Sequence, residues 1–361
     1  MRGTTSKIHL SKMRSAYWIR MKACRAGGVS GRTITMKYRT FGRLGWQVSD
    51  IGFGAWAIGG SWGAQNDDES VRALNKALDL GCNFIDTAQV YGDGRSEKVI
   101  AKVLAERKGD QVYVATKFPP TPEGEWPPTP YDRCEDRYPE AYLRERLERS
   151  LRDLKTETID LVQLHTWTRA WNQNPTALET LRKFQKEGKI RGIGISTPEH
   201  DQNSLIELMR GGWLDSVQVI YNIFDQEPQA EFFPAAMAGD VGVIVRVAFD
   251  ESALTGKLTP QTKWEAGDFR NNYFAGDRLD RTVARVEKIR QAVGSSEPDL
   301  ATAALKFAMK PKAVSTVIPG IRSVRQAELN CGVSDQPPMG DELERKLRPH
   351  HWRRAFWYAG K

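Results

Sequence analysis

Three short apolar runs in this chain each end on a polar residue: Asn83-Phe-Ile-Asp86, Val112-Tyr-Val-Ala-Thr-Lys117 and Asp160-Leu-Val-Gln-Leu-His165. Runs this short, rich in β-branched and apolar residues, read as strands buried on both faces of a parallel sheet. An Asp, a Lys and a His that close three such strands belong on one rim of the sheet. Tyr91, in the loop after the first of them, joins the group.

The rest of the chain repeats the same unit. Segments around Tyr38-Arg-Thr-Phe-Gly and Trp46-Gln-Val-Ser flank Arg43-Leu-Gly45, the pattern of a short β-hairpin. Strands and amphipathic helices then alternate. One helix is expected to be capped by Asp67-Asp-Glu-Ser, to carry Val71, Leu74, Ala77 and Leu78, and to stop at Gly81. A second covers 96–104, a third carries Leu143, Leu147, Leu151 and Leu154, and a fourth runs through Leu178, Leu181 and Phe184 to Gly188. Further strands fall at 190–196, 216–221, 241–247 and 314–319. With a first strand near 50–54 the count is eight, which predicts a (β/α)8 TIM barrel behind an N-terminal β-hairpin, not an open doubly wound sheet. The Pro-rich, aromatic stretch 119–138 is longer than an ordinary connection and is expected to be a lid or a mobile insertion. Gly52-Phe-Gly54-Ala-Trp-Ala-Ile-Gly59 misplaces the third glycine of a dinucleotide fingerprint and opens no helix, so these glycines are assigned to turns at the rim.

Charge narrows the function classes. The formal net charge is +8, but residues 1–35 contain eight Lys and Arg and no acid, so the remainder is neutral overall. No nucleic-acid partner is expected on that ground. No apolar stretch approaches the ~18 residues that span a bilayer, so no membrane partner is expected either. Cys24, Cys82, Cys134 and Cys331 form no C-x-x-C pair, which argues against a zinc site and for a reducing, cytoplasmic setting. The acid-free 1–35 segment resembles a transit peptide in composition but lacks a secretory apolar core. It is read as a disordered basic extension upstream of Met36, where organised sequence begins. The barrel is expected over 36–345, with 346–361 a C-terminal tail.

In barrel enzymes the active site lies at the C-terminal ends of the strands. Asp86, Lys117, His165, Ser196 and Gln218 fall at or near such ends. The markers Asn83-Phe-Ile-Asp86-Thr-Ala, Tyr91-Gly92, Ala-Thr-Lys117, Ile159-Asp-Leu-Val-Gln-Leu-His165 and Gly188-Lys-Ile-Arg-Gly-Ile-Gly-Ile-Ser196 together resemble the aldo-keto reductase family. So do Gln218-Val-Ile-Tyr221-Asn222, Leu254-Thr-Gly256-Lys257 and Ile318-Pro-Gly320, with Gln326 and Asn330 downstream; the resemblance covers Met36 to about Asn330. It implies an NADP(H)-dependent oxidoreductase acting on a small carbonyl or alcohol, as a monomer or weak homo-oligomer. It further implies that Tyr91 is the general acid and base, that Lys117 and Asp86 tune it, and that His165 orients the carbonyl.

For the cofactor, the resemblance makes Ser196 and Gln218 the carboxamide pair, Tyr221 the platform under the nicotinamide, and Leu254, Gly256 and Lys257 the pyrophosphate loop. Gly54, Trp56, Arg246, Gly320, Arg322, Ser323, Gln326 and Asn330 complete the expected contacts. Arg322 suits a 2′-phosphate, which favours NADPH and leaves NAD(H) open. Trp56, Trp126 and Trp167 are expected to line the substrate pocket. Three positions depart from the family pattern: Thr197-Pro198 after Ser196, Arg246-Val-Ala-Phe249 where Tyr-Ser-Pro-Leu is common, and Thr166-Trp167 after His165. A nicotinamide-binding redox sensor or regulatory subunit with little turnover is the alternative reading.

Overall fold

The computed structural model describes residues 34–60, 62–63 and 65–352. Most of the basic N-terminal segment, Cys24 and the last nine residues of the expected tail lie outside the described residues. Eight parallel strands follow one another around a single sheet in chain order. After a hairpin of β1 (Tyr38–Phe41) and β2 (Trp46–Ser49), they are β3 (Phe53–Gly54), β4 (Phe84–Asp86), β5 (Tyr113–Phe118) and β6 (Ile159–Leu164). β7 (Ile190–Ser196), β8 (Ser216–Ile220), β9 (Gly242–Arg246) and β10 (Val314–Val317) complete the set. Parallel bridges Ile51–Val317 and Gly54–Gly320 join the first strand to the last and close the barrel. The backbones meet so tightly there that a Cβ on Gly54 would sit 2.7 Å from the Ile318 carbonyl oxygen.

The antiparallel hairpin stoppers the N-terminal end of the barrel. Phe41 and Val48 are buried with Phe84, Ala115, Leu161 and Ile244, residues that fill the barrel interior. Phe41 packs 5.4 Å from the Phe84 ring. A closed bottom leaves the C-terminal rim as the open end.

Helices cover the outside because their apolar residues recur at three- and four-residue spacing. In the helix Glu140–Leu154, Leu143, Leu147, Leu151 and Leu154 are buried, and the Arg and Glu residues between them face outward. The helix Asp67–Asp79 buries Ala73, Leu74, Ala77 and Leu78. Its cap is Asn66, one residue before the expected acidic run: Asn66 Oδ1 accepts from the Asp68 amide at 2.7 Å. Asp67, Asp68 and Glu69 instead occupy the first turn, where the helix dipole favours negative charge.

The 119–138 stretch carries local structure of its own. It contains a short helix, Cys134–Arg137, and is gathered around the buried Arg137 side chain. Arg137 donates to the carbonyls of Glu125 (3.0 Å) and Thr121 (3.4 Å). At the other end of the chain, the helix Asp341–Leu347 crosses residue 345, and Trp352 packs edge-on to Phe224.

Candidate active site

Strands β4, β5, β6 and β8 each bring a polar side chain to the rim, and these side chains meet. Asp86 ends β4 and lies 3 % exposed; Lys117, on β5, is 1 % exposed. The Lys117 ammonium donates to Asp86 Oδ2 at 2.6 Å, to the Thr87 carbonyl at 2.8 Å and to the Tyr91 hydroxyl at 3.2 Å. All three of its hydrogens are thereby used, which fixes the ammonium. Tyr91 is held by its backbone as well: a Cβ on Gly59 would sit 2.6 Å from the Tyr91 carbonyl carbon, so the turn Trp56–Gly59 packs directly on it.

The other Asp86 oxygen is held from across the barrel. Oδ1 accepts from Gln218 Nε2 at 2.7 Å and from Gln163 Nε2 at 3.3 Å. Gln163 is not among the residues the sequence singles out, although it precedes His165 by two residues and so shares its face. His165 itself follows β6 directly. Its ring lies 6.0 Å from that of Tyr91, with the planes at 76°.

Burial and charge set the protonation states. Burial raises the Tyr91 phenol above its ordinary value; the charge of Lys117 pulls the other way. Burial alone would depress Lys117, yet Asp86 and Tyr91 outweigh it, so the ammonium persists above the ordinary lysine range. His165 is pushed well below its ordinary value by burial and then by Lys117 and Arg246, so its imidazole is neutral near pH 7.

A cleft of about 610 Å³ opens beside this cluster. It is bordered by Asp86 and Tyr91, by Gly54 and Trp56 after the first strand, and by Gly320, Arg322, Gln326 and Asn330 after the last. Lys257 borders it too, so these expected cofactor residues share one cavity. Ser323 caps the helix Val324–Cys331 and accepts from the Gln326 amide, and Arg322 donates to Gln65 at 2.9 Å. Asn330 reaches the Gly320 carbonyl at 3.4 Å. Leu254 is buried, and Gly256, at φ 71°, ends the short turn before Lys257. Trp62, Glu251 and Arg325 also border the cleft and were not anticipated.

Several expected residues are placed differently. Ser196 and Gln218 are register partners on β7 and β8, but the Gln218 amide is committed to Asp86. Tyr221 is 1 % exposed and stacks on Phe307 at 5.4 Å, its hydroxyl donating to Gln229; it does not border the cleft. The reason is the two-residue alternation of a strand, which turns Tyr221 outward when Gln218 points in. Trp167 is likewise fully buried, edge-on to Trp171 and donating to Asn172, so it belongs to the core and not to a substrate wall. Trp126 does reach the rim, 5.3 Å from the His165 ring.

The loop after β9 is unusual. Val247 has φ 58°, and Asp250, Glu251 and Ser252 form a consecutive left-handed run at φ 46°, 52° and 78°. A β-branched residue in that region is strained, and such strain collects where a loop is shaped for a ligand. On the same rim several buried polar atoms have no hydrogen-bond partner among the described residues: Gln163 Oε1, His165 Nδ1, Thr197 Oγ1, Arg246 Nε and Ser252 Oγ. Unpaired buried donors and acceptors on one rim, beside a cleft with three cations, fit a large polar, anionic cofactor.

The sequence model of the aldo/keto reductase family matches residues 50–345. The aldo-keto reductase YhdN of Bacillus subtilis (strain 168) is 33 % identical over 239 residues, 66 % of this chain and 69 % of that protein. The NADH-specific methylglyoxal reductase of Escherichia coli (strain K12) is 28 % identical and covers 86 % of this chain and 100 % of its own length. The holo form of an aldo-keto reductase from Bacillus halodurans superposes with a TM-score of 0.70 at 25 % identity, covering 91 % of this chain and 100 % of that one. No helix among the described residues is long and apolar enough to cross a membrane. The chain belongs to the aldo/keto reductase family, oxidoreductases that act on C=O and CH–OH groups with NAD(P).

Proposed function

We propose that this protein reduces aldehydes or ketones, and oxidises the matching alcohols, with NADP(H) as cofactor and Tyr91 as the proton donor. One observation carries the reading: a single ammonium, that of Lys117, bonds at once to Asp86 and to the Tyr91 hydroxyl at the wall of the cleft. When bound, a nicotinamide supplies or accepts the hydride.

The chain's own groups do the rest. Tyr91 gives its proton to the carbonyl oxygen as negative charge builds there, and takes it back in the reverse direction. Burial keeps the phenol protonated near neutral pH, and the Lys117 ammonium stabilises the phenolate left behind. Asp86 holds Lys117 in place, while Gln163 and Gln218 hold Asp86. His165 stays neutral, so it orients the substrate oxygen by a hydrogen bond and does not compete as an acid. Lys257, Arg322 and Arg325, with the capped helix start at Ser323, suit the phosphates of the cofactor. Arg322 favours NADP(H); the likeness to a reductase named NADH-specific makes NAD(H) the competing cofactor.

The test is NADPH consumption by the full chain with a reactive aldehyde. Tyr91→Phe is expected to lower kcat by about a thousandfold, within the range of lost acid catalysis, while cofactor binding persists. An unchanged rate removes Tyr91 from the proton step.

A further inference from the structure

Two of the three departures from the family pattern are in contact. Arg246 ends β9, and Thr197 and Glu199 follow β7. Between those strands in the sheet lies β8. The Arg246 side chain therefore reaches across the end of β8, where its Nη2 donates to the Thr197 carbonyl and to Glu199 Oε1, both at 3.0 Å. The two charged side chains are only 16 % and 11 % exposed. Ser196 and Gln218 are the last register pair between β7 and β8, and Arg246 pairs in register with Ile220, two residues beyond Gln218. One edge of the guanidinium is thus tied to the β7 loop, whereas Nε is buried without a hydrogen-bond partner among the described residues, as is Thr197 Oγ1. The Arg246 charge is felt by both Tyr91 and His165, so it lies within electrostatic reach of the reacting centre. A guanidinium is flat, permanently charged and suited to lie against a planar ring.

We propose that Arg246, held by Glu199, borders the seat of the nicotinamide ring, and that its fixed charge makes the protein bind the reduced cofactor more tightly than the oxidised one. This rests on the nicotinamide reading above. The reduced ring is neutral. When hydride leaves with its electron pair, the ring becomes a pyridinium with one positive charge. A neighbouring fixed cation repels only that oxidised form. Glu199 offsets part of the Arg246 charge, so its carboxylate sets the strength of the discrimination. Weakly held oxidised cofactor leaves readily, which favours carbonyl reduction wherever both forms are present.

Quenching of intrinsic tryptophan fluorescence reads the binding directly, because Trp56 and Trp62 border the cleft. Full-chain protein is titrated with NADPH and NADP⁺, and with NADH and NAD⁺. The wild type is expected to bind each reduced form more tightly than its oxidised partner. Arg246→Met should lower the ratio of oxidised to reduced Kd by about tenfold, the effect of one partly screened charge at close range. Arg246→Lys, which keeps the charge, should retain most of the ratio. Glu199→Gln should raise it by roughly threefold, since the arginine is then less offset. If Arg246→Met folds poorly, Glu199→Gln decides alone. Ratios unchanged in these variants, with cofactor binding intact, overturn the proposal. A wild type that binds no nicotinamide cofactor removes the cofactor reading, and the proposal with it.

Discussion

Trp126 stands edge-on to His165, with ring centroids 5.3 Å apart and planes at 87°. The contact ties the 119–138 segment to the reacting centre, and 46 % of the Trp126 surface remains exposed. An aromatic residue that is half in solvent at the rim is placed to meet the part of the substrate beyond the carbonyl. Trp126→Ala is expected to raise KM for aldehydes with apolar or aromatic substituents by about tenfold, as expected for one lost apolar contact surface. It should leave KM for a two-carbon aldehyde and Kd for NADPH nearly unchanged. Equal losses on all substrates would assign Trp126 to folding of the loop.

Glu251 is a carboxyl that burial pushes up to about 8, with Asp250 adding to the rise and Arg246, Arg270 and Arg278 opposing it. It borders the cleft expected to take an anionic cofactor. Below pH 8 it is neutral; above, it adds a negative charge there. Cofactor affinity should therefore fall as pH passes through 8, and Glu251→Gln should flatten that dependence. Stability moves with the same group. Its folded pKa is raised, so the folded state holds the extra proton between the ordinary carboxylate range and 8, and stability drops as pH rises through that window. Glu251→Gln should accordingly raise Tm at pH 9 by roughly 10 °C, the lower end for a carboxyl raised from its ordinary value to about 8 at ~2–4 °C per kcal/mol. Melting curves at pH 5 and pH 9 check the sign: the gain belongs to the higher pH.

Gln163 is a positioning residue for Asp86. Gln163→Leu removes one donor from Oδ1 and leaves Gln218 as the other. A drop in kcat of about five- to tenfold is expected, the scale of one ordinary hydrogen bond, because the Gln163 contact is a long 3.3 Å, with KM and cofactor Kd little changed. Gln163→Glu sets a second carboxyl against Asp86 and should lower kcat by roughly a hundredfold at pH 8. It should recover toward acid pH, as the new carboxyl is protonated. A purely structural role for Gln163 would instead lower Tm without moving the pH profile.

Most of the barrel is legible in the chain because its strands are bracketed by strong punctuation. β7 coincides with the expected Ile190–Ser196 run, framed by Gly188 and Pro198. The gathering of Asp86, Lys117 and His165 on one rim follows from strand order; Tyr91 joins them from the loop after β4. What escaped the sequence has identifiable causes. The helix Cys134–Arg137 is a single turn among prolines, too short to carry a period. Tyr221 is assigned to the nicotinamide by the resemblance alone; it lies one residue past β8, and its ring packs on Phe233 and Phe307. Trp167 looked like a pocket wall only because it follows His165; the Trp171 and Asn172 turn that buries it has no signature. The Arg246–Glu199 bond joins residues 47 positions apart, and no local pattern foretells it.

The seam where Ile51 meets Val317 and Gly54 meets Gly320 makes the cleft a product of the two ends of the barrel. Its lining comes from two stretches far apart in the chain, 54–91 and 247–336. Docking of the last strand on the first brings these two stretches side by side. A dinucleotide lying along that seam would act as a clasp across the joint. The amide hydrogens of Gly52 and Gly54, which bridge it, would then exchange more slowly with solvent when the protein is charged with cofactor.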